Sequence, residues 1–300
     1  MVVWGLVLTG VIMTRSSCAE VIVSMTSQVI APAKQSPYGG GVANKIGELL
    51  RDWRTRRHLS QLDLAVEAGV STRHLSFVET GRSKPSPELV LTLAEHLDVP
   101  LRERNTLLLA AGYAPRYRES SLDAPEMQPV RASIQQMLDA HHPYPALAVD
   151  RRWNLVLANR AALALVGLLP AHLLEAPVNV YRAVLHPDGL AGRSPNAAEW
   201  VPTWLHALRR EALLTADPAV VALYDEVAMY PGAAHAGPEP DNEPAVVISV
   251  VLDTPAGPLS MFTTMTTFGT PQDVTLDELT IELFWPTDAA SGEVLRLLAG

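Results

Sequence analysis

Cysteine is almost missing from this chain: Cys18 is the single one in 300 residues. That excludes internal disulfides and any zinc site built on cysteine pairs, and it fits a reducing, cytoplasmic setting. Charged residues are sparse at 18% and aromatics make up 6%, yet 48% of the chain is hydrophobic. Such a chain can bury sizeable cores and is not a disordered protein. Catalytic signatures are absent as well: there is no Gly-x-Ser-x-Gly, no Walker-type Gly-Lys-Ser/Thr, no His-Glu-x-x-His, no Cys-x-x-Cys and no His-x-x-x-His. The residues therefore point to no enzyme, no metal and no resident cofactor.

An apolar run long enough for a bilayer is lacking too. The first thirteen residues, MVVWGLVLTGVIM, fall short of the ~20 that a membrane helix needs. They also lack the positive leader of a secretory signal. Arg15-Ser16-Ser17 before Cys18 suits a lipid-attachment site poorly. We read this stretch as lying upstream of the true start, at or near Met25, and residues 1–43 as a tail ending in the flexible run Ser36–Gly41. No membrane association is expected.

Net charge is −9, unevenly spread. Residues 44–118 hold 12 Lys/Arg against 9 Asp/Glu, whereas residues 119–300 hold 9 against 22. Only the first segment has the balance to face a polyanion. Its centre is Leu59–Arg82, LSQLDLAVEAGVSTRHLSFVETGR. Ser60 can N-cap a helix from Gln61, whose apolar side would be Leu62, Ala65, Val66 and Ala68. Gly69 suits a sharp turn needing positive φ, Val70 would plug that turn, and Ser71 is a second N-cap. The next helix turns Leu75 and Val78 inward and leaves Thr72, Arg73, His74 and Ser76 outside. Two short helices about a glycine turn make a helix-turn-helix, whose second helix enters the major groove. Further helices are predicted before it (Ile46, Leu49, Leu50, Trp53), after Ser86-Pro87, and from about Arg102 to Ala111. Phe77 is expected to pack beside the core, and Glu79 to pair with an arginine of the first helix.

Beyond Asp123 the spacing predicts a helix to about Ala140 with Val130, Ile134, Met137 and Leu138 as its stripe. Short strands follow at Ala146–Val149 and Trp153–Ala158, with an Asn159-capped helix to Leu168. Helices are predicted over Leu173–His186, Ala197–Thr215 and Pro218–Met229, and a loop over Gly232–Pro244. Strands at Val246–Leu252, Leu259–Phe268 and Leu279–Trp285 close an α+β architecture of about five strands.

Residues 44–115 resemble the Xre/Cro-type helix-turn-helix family, the lambda-repressor-like all-α fold of five helices, through Leu59-Ser60-Gln61, Leu64-Ala65, Ala68–Ser71, Leu75–Gly81 and Pro85-Ser86. More narrowly, residues 44–290 resemble the MmyB-like transcriptional regulators. The matching pieces are LSFVETGRSKPSPELVLTLAEHLDVPLRERNTLLLAAGYAP (Leu75–Pro115), NVYRAVLHPDG (Asn179–Gly189) and TTFGTPQDVTLDELTIELFWP (Thr266–Pro286). The resemblance implies a DNA-binding domain at 44–118 and a PAS-like ligand-binding domain with an antiparallel sheet at 119–300. It also implies a homodimer on double-stranded DNA and a small hydrophobic ligand, with fatty acids the class to test first. Gln61, Ser71, Thr72, Arg73, His74 and Ser76 are then candidates for DNA contact. Arg73 would read a base edge, while Arg82 and Lys84 meet phosphates. Arg182 and His186, about one helical turn apart, are candidate anchors for a carboxylate head. The competing expectations are a non-catalytic interaction scaffold and an enzyme merely tethered to DNA.

Overall fold

The structure, a computed structural model, describes residues 42–215, 217–232 and 248–300. The expected tail up to residue 41, Cys18 within it, and all but the first residue of the Gly232–Pro244 loop lie outside the described residues. Val42 and Ala43 already belong to the first helix.

Five helices build the first domain: α1 (Val42–Arg56), α2 (Gln61–Glu67), α3 (Thr72–Glu79), α4 (Pro87–His96) and α5 (Leu101–Ala110). Serines start α2, α3 and α4 as predicted. The Ser60 hydroxyl accepts from the Asp63 N–H while Asp63 accepts from the Ser60 N–H, which satisfies two unpaired donors reciprocally. Ser71 and Ser86 accept from the His74 and Leu89 N–H groups. Gly69 turns the chain at φ +66°. The core is formed by Ile46, Leu50, Trp53, Leu64, Ala65, Leu75, Val78, Leu93 and their neighbours. The face of α2 needs correcting. Leu62 and Val66 are 60% and 71% exposed, and Leu64 and Ala65 are the buried pair. Helix α2 starts where predicted, but packing turns the face of positions 64 and 65, about 100° apart, toward α3 and α4 and leaves 62 and 66 outside. A close approach also constrains α1: a Cβ on Gly47 would fall 2.5 Å from the Glu79 carbonyl oxygen.

The second domain is an α+β layer around one antiparallel sheet of order β2-β1-β5-β4-β3. Its strands are β1 (Ala146–Val149), β2 (Leu155–Ala158), β3 (Val250–Thr254), β4 (Gly257–Thr267) and β5 (Thr280–Pro286). One face carries α6 (Gln128–Ala140), whose Ile134 and Leu138 pack on Ala146, Ala148 and Ile281. Met137, predicted to join them, is 49% exposed. The other face carries α7 (Arg160–Val166), α8 (Val180–Leu185), α9 (Ala197–Thr215) and α10 (Pro218–Val227) around Trp200, Leu208 and Leu223. Asn159 and Asp217 cap α7 and α10 as predicted. The predicted helix Leu173–His186 shrinks to α8, since Pro177 disfavours helix at Ala176 and Asn179 starts the helix by accepting from the Arg182 N–H. Two helices are additional to the predicted set: α11 (Val274–Asp277) and α12 (Ala289–Ala299), the latter packed on β4 and α7. Asp288, which accepts from the Ser291 N–H, was the available sign of α12.

The domains touch through the start of α5. Its N-cap position is Pro100, which offers no side-chain acceptor. Asp277, at the end of α11, supplies one instead: its Oδ2 accepts from the Leu101 N–H at 2.8 Å. Beside it Arg102 makes paired hydrogen bonds to Glu278 at 2.6 and 2.9 Å, and to Glu119 at 2.8 and 2.6 Å. Glu278 also receives Arg151. Asn105 accepts from the Arg116 and Tyr117 N–H groups and lays the linker along α5. A carboxylate at a helix N-terminus is favoured by the macrodipole as well as by its hydrogen bond. Asp277→Ala should cost ~0.5–2 kcal/mol, and hydrogen exchange of the Leu101 amide should quicken while amides in α2 and α3 keep their rates.

Candidate nucleic-acid interface and ligand cavity

The position of α3 depends on one buried charge. Glu79, at its last turn, has a fully buried side chain. Arg54 of α1 donates to both its oxygens, at 2.7 and 2.9 Å, and Gln61 of α2 donates at 2.8 Å. The predicted pairing with a first-helix arginine is thus present. Burial opposes the charge most, but Arg54, Gln61 and Arg51 outweigh it and hold the carboxyl below its ordinary range. Gln61 has spent one amide N–H on this bond. Its other N–H and its carbonyl are what remain for an outside partner.

The remaining candidates lie at the N-cap of α3, on the helix and in the loop that follows it. Ser71 and Arg73 are exposed, and Thr72, His74 and Ser76 are half-buried at the helix start. Phe77 lies outside the core cluster. Its ring carries the Arg73 guanidinium at 5.3 Å and that of Arg82 at 5.9 Å. Lys84 sits 4.6 Å from the Tyr113 ring, itself held by a hydrogen bond from its hydroxyl to the Pro85 carbonyl. Among the described residues Arg73, Arg82 and Lys84 form no ion pair, whereas Arg54, Arg102, Arg151 and Arg182 each do. Arg57, crowded at the end of α1, donates to the Leu97 and Asp98 carbonyls and is structural.

In the second domain a cavity opens between the sheet and helices α7, α8 and α9. Its lining includes Leu147, Thr263 and Phe284 from the sheet and Leu165, Val184 and Trp204 from the helices. The centre of a water-sized sphere can move over ≈ 70 Å³ inside it, against the ~10–15 Å³ that one water requires. Almost all of its wall is apolar. Among the described residues no Lys, Arg or His lines it.

The two expected anchors are not in that cavity. Val180, Ala183 and Val184 of α8 line it, and the helical step turns Arg182 to the opposite side. There Arg182 makes two 2.7 Å hydrogen bonds to Glu226. His186 follows the end of α8, where its ring meets Tyr230 and its Nδ1 accepts from the Asp188 N–H. His186 gathers instead with His172 and Asp188, with ligand atoms all within 4.8 Å of one another. Such a trio offers two nitrogens and a carboxylate to a divalent cation. Sequence spacing hid it, because the two histidines stand 14 positions apart on different segments.

A residue the sequence analysis missed is Glu282 on β5. It is fully buried, and among the described residues neither carboxyl oxygen has a hydrogen-bond partner. Burial pushes its pKa up to about 7, and the Thr263 hydroxyl offsets part of this without completing a hydrogen bond. Its signal in the sequence was a lone acid inside the apolar strand TIELFWP.

The arrangement defines a class: a helix-turn-helix protein joined to a separate α+β ligand-binding domain. Residues 130–298 match the MmyB-like transcription regulator ligand binding domain, and residues 50–104 match a helix-turn-helix family. The first match covers more than half of the chain, and the chain belongs to the MmyB-like family. It is also similar to the ImmF control region 10 kDa protein of Bacillus phage phi105, at 35% identity over 57 residues. That match takes in 19% of this chain and 63% of the phage protein. Among the described residues no helix is long and apolar enough to cross a membrane.

Two outcomes follow from the carboxyls. Removing Glu79 strands the Arg54 charge, so Glu79→Ala should cost ~3–5 kcal/mol in urea unfolding. Because the folded carboxyl lies below its unfolded value, its stabilisation is present above pH ~4.3 and lost as the pH falls. Glu79→Gln should lack that loss on the acid side. Glu282 has the opposite sign: its folded value is raised, so its contribution is fullest below pH ~4.3, declines as the pH climbs through about 7, and levels off above. Melting temperature followed from pH 5 to 8 should fall in the natural protein and flatten in Glu282→Gln.

Proposed function

We propose that the chain is a sequence-specific, DNA-binding transcription regulator. It acts as a homodimer whose C-terminal domain senses a small hydrophobic ligand. The observation that carries the DNA half is that Arg73, Arg82 and Lys84, which form no ion pair among the described residues, are held on the faces of Phe77 of α3 and of Tyr113. A guanidinium on a ring has fewer rotamers to lose when it meets a partner. Ser71, Thr72, His74, Ser76 and the free half of the Gln61 amide complete the surface, with α3 in the major groove. Arg73 reads a base edge; Arg82 and Lys84 meet phosphates and set register. In a homodimer the two α3 helices stand about one DNA turn apart, ~34–36 Å.

The apolar cavity supports the ligand half. An alkyl chain, such as that of a fatty acid, matches its lining. The route from ligand to DNA is β5: Phe284 lines the cavity, while Asp277 and Glu278, just before the strand, grip the start of α5. A ligand that favours one position of β5 biases that grip, which is the differential interaction that coupling requires.

Fluorescence anisotropy on operator fragments selected from genomic DNA tests the DNA half. Lys84→Ala should weaken every sequence alike and reduce the slope of log affinity on log salt by about 0.9. Arg73→Ala should relax one base position, at ~1–3 kcal/mol of lost discrimination. Unchanged affinity and slope in both variants would remove the proposal.

A further inference from the structure

Three metal-ligating side chains converge at a place apart from the DNA surface and outside the cavity. His172 lies in the short turn Ala171–Leu173, and His186 and Asp188 follow the end of α8. The His172 Nε2 stands 3.5 Å from the Asp188 Oδ2, and the His186 Nδ1 stands 3.8 Å from the same oxygen. The two imidazole rings meet edge to face with centroids 5.4 Å apart. Ligands held tetrahedrally at ~2.0–2.1 Å from a zinc-like ion stand ~3.3–3.5 Å from one another. One ligand atom of each residue lies within 4.8 Å of the other two, so small side-chain rotations close the shell.

The local backbone sets these groups in place. The Pro170 and Ala171 carbonyls accept from the Leu173 and Leu174 N–H groups and wind the turn that carries His172. After α8 the Gly189 N–H donates to the His186 carbonyl at 2.8 Å and bends the chain back. A Cβ at that bend would fall 2.1 Å from the Ala183 carbonyl oxygen, so glycine is required. The bend brings the Asp188 N–H to the His186 Nδ1 at 3.0 Å. A ring nitrogen that accepts carries no proton, so this Nδ1 and the Asp188 Oδ2 face each other as two acceptors. A cation satisfies both, and leaves the N–H of the exposed Asp188 to water. Tyr230 backs the His186 ring, 5.1 Å between centroids.

Two imidazoles and one carboxylate suit Zn2+, Ni2+ or Co2+, whereas Mg2+ and Ca2+ prefer oxygen alone. His172 and Asp188 are exposed, so an ion reaches the site from solvent and keeps water in its open positions. Leu169 and Val178 flank the segment of His172, and Val184 and Leu190 flank His186 and Asp188; all four line the cavity. We propose that His172, His186 and Asp188 bind a divalent transition-metal ion, and that the ion staples the turn Ala171–Leu173 to the bend after α8, holding two pieces of the cavity wall together. The site stands whether or not the cavity takes a ligand.

Zinc chloride is titrated calorimetrically at pH 7.5 into full-length, untagged protein first stripped with a chelator. A first Zn2+ per chain is expected to bind, while MgCl2 at the same concentration gives no heat. His172→Ala and Asp188→Asn should each weaken that binding at least about tenfold. His96→Ala, at an exposed position of the helical domain, should bind as the natural protein does. Co2+ in place of Zn2+ should give visible absorption bands that both ligand variants lose. On the natural protein, added Zn2+ should slow hydrogen exchange over residues 169–174 and 186–190 and leave α2 and α3 at their rates. No Zn2+ binding would overturn the proposal. Binding of equal strength in His172→Ala and Asp188→Asn would overturn it too, since the ion would then sit elsewhere. Binding lost in those variants, but with exchange over the two segments unchanged in the natural protein, keeps the metal site and overturns the staple. The exchange map is read on the natural protein, so it decides even where a variant does not fold.

Discussion

Taking the Glu79 carboxylate out of water costs on the order of several kcal/mol, and the helical domain closes only where that cost is met from three helices together. Arg54 brings α1, Gln61 brings α2, and Glu79 itself belongs to α3. None of these bonds is local in sequence; they join positions 18 and 25 apart. A helix of eight residues is too short to be stable alone. The buried charge gives α3 a fixed direction, and the cations without ion pairs are then presented by a surface that cannot rotate. The pinning of half the Gln61 amide follows from this: a residue suited to outside contact is first a part of the scaffold.

A second constraint links the two halves. From Thr280 to Phe284 the chain runs about 13 Å along one strand, with the hold on α5 at Glu278 just before it and the cavity wall at its other end. Strands in the middle of a sheet bend little, because both edges are bonded. Here β5 lies between β1 and β4. Before its start Glu278 joins Arg102, Glu119, Arg151 and Asp217 in a continuous set of ion pairs.

Local chemistry made much of this legible in the sequence. Ser60, Ser71, Ser86, Asn159 and Asp217 cap where their hydroxyls, amide or carboxylate suggested, and Gly69 turns where only positive φ serves. Strands β1 and β5 appear within a residue of expectation because each is a short apolar run between breakers. The misses are of another kind. Leu62 and Leu64 are equally apolar, and only packing against α3 and α4 decides which is buried. Arg182 is chemically apt for a carboxylate, but helix phase and Glu226 take it elsewhere. Glu282 reads as a surface acid until β1 and β5, some 135 residues apart, are known to be neighbours. The trio of His172, His186 and Asp188 is invisible for the same reason.

The donor that starts α5 and the acid that caps it are separated by 176 positions. Contacts within the helical domain are short-range, and such domains fold as units while the chain is still leaving the ribosome. At ~5–20 residues per second, the Leu101 amide emerges roughly 9–35 s before Asp277 exists to receive it. During that interval the helical domain can already be assembled, while the segment that caps α5 has yet to be made. A nascent chain thus passes through a stage in which the helical domain stands alone with the start of α5 uncapped, and Asp277 marks the moment at which that stage ends.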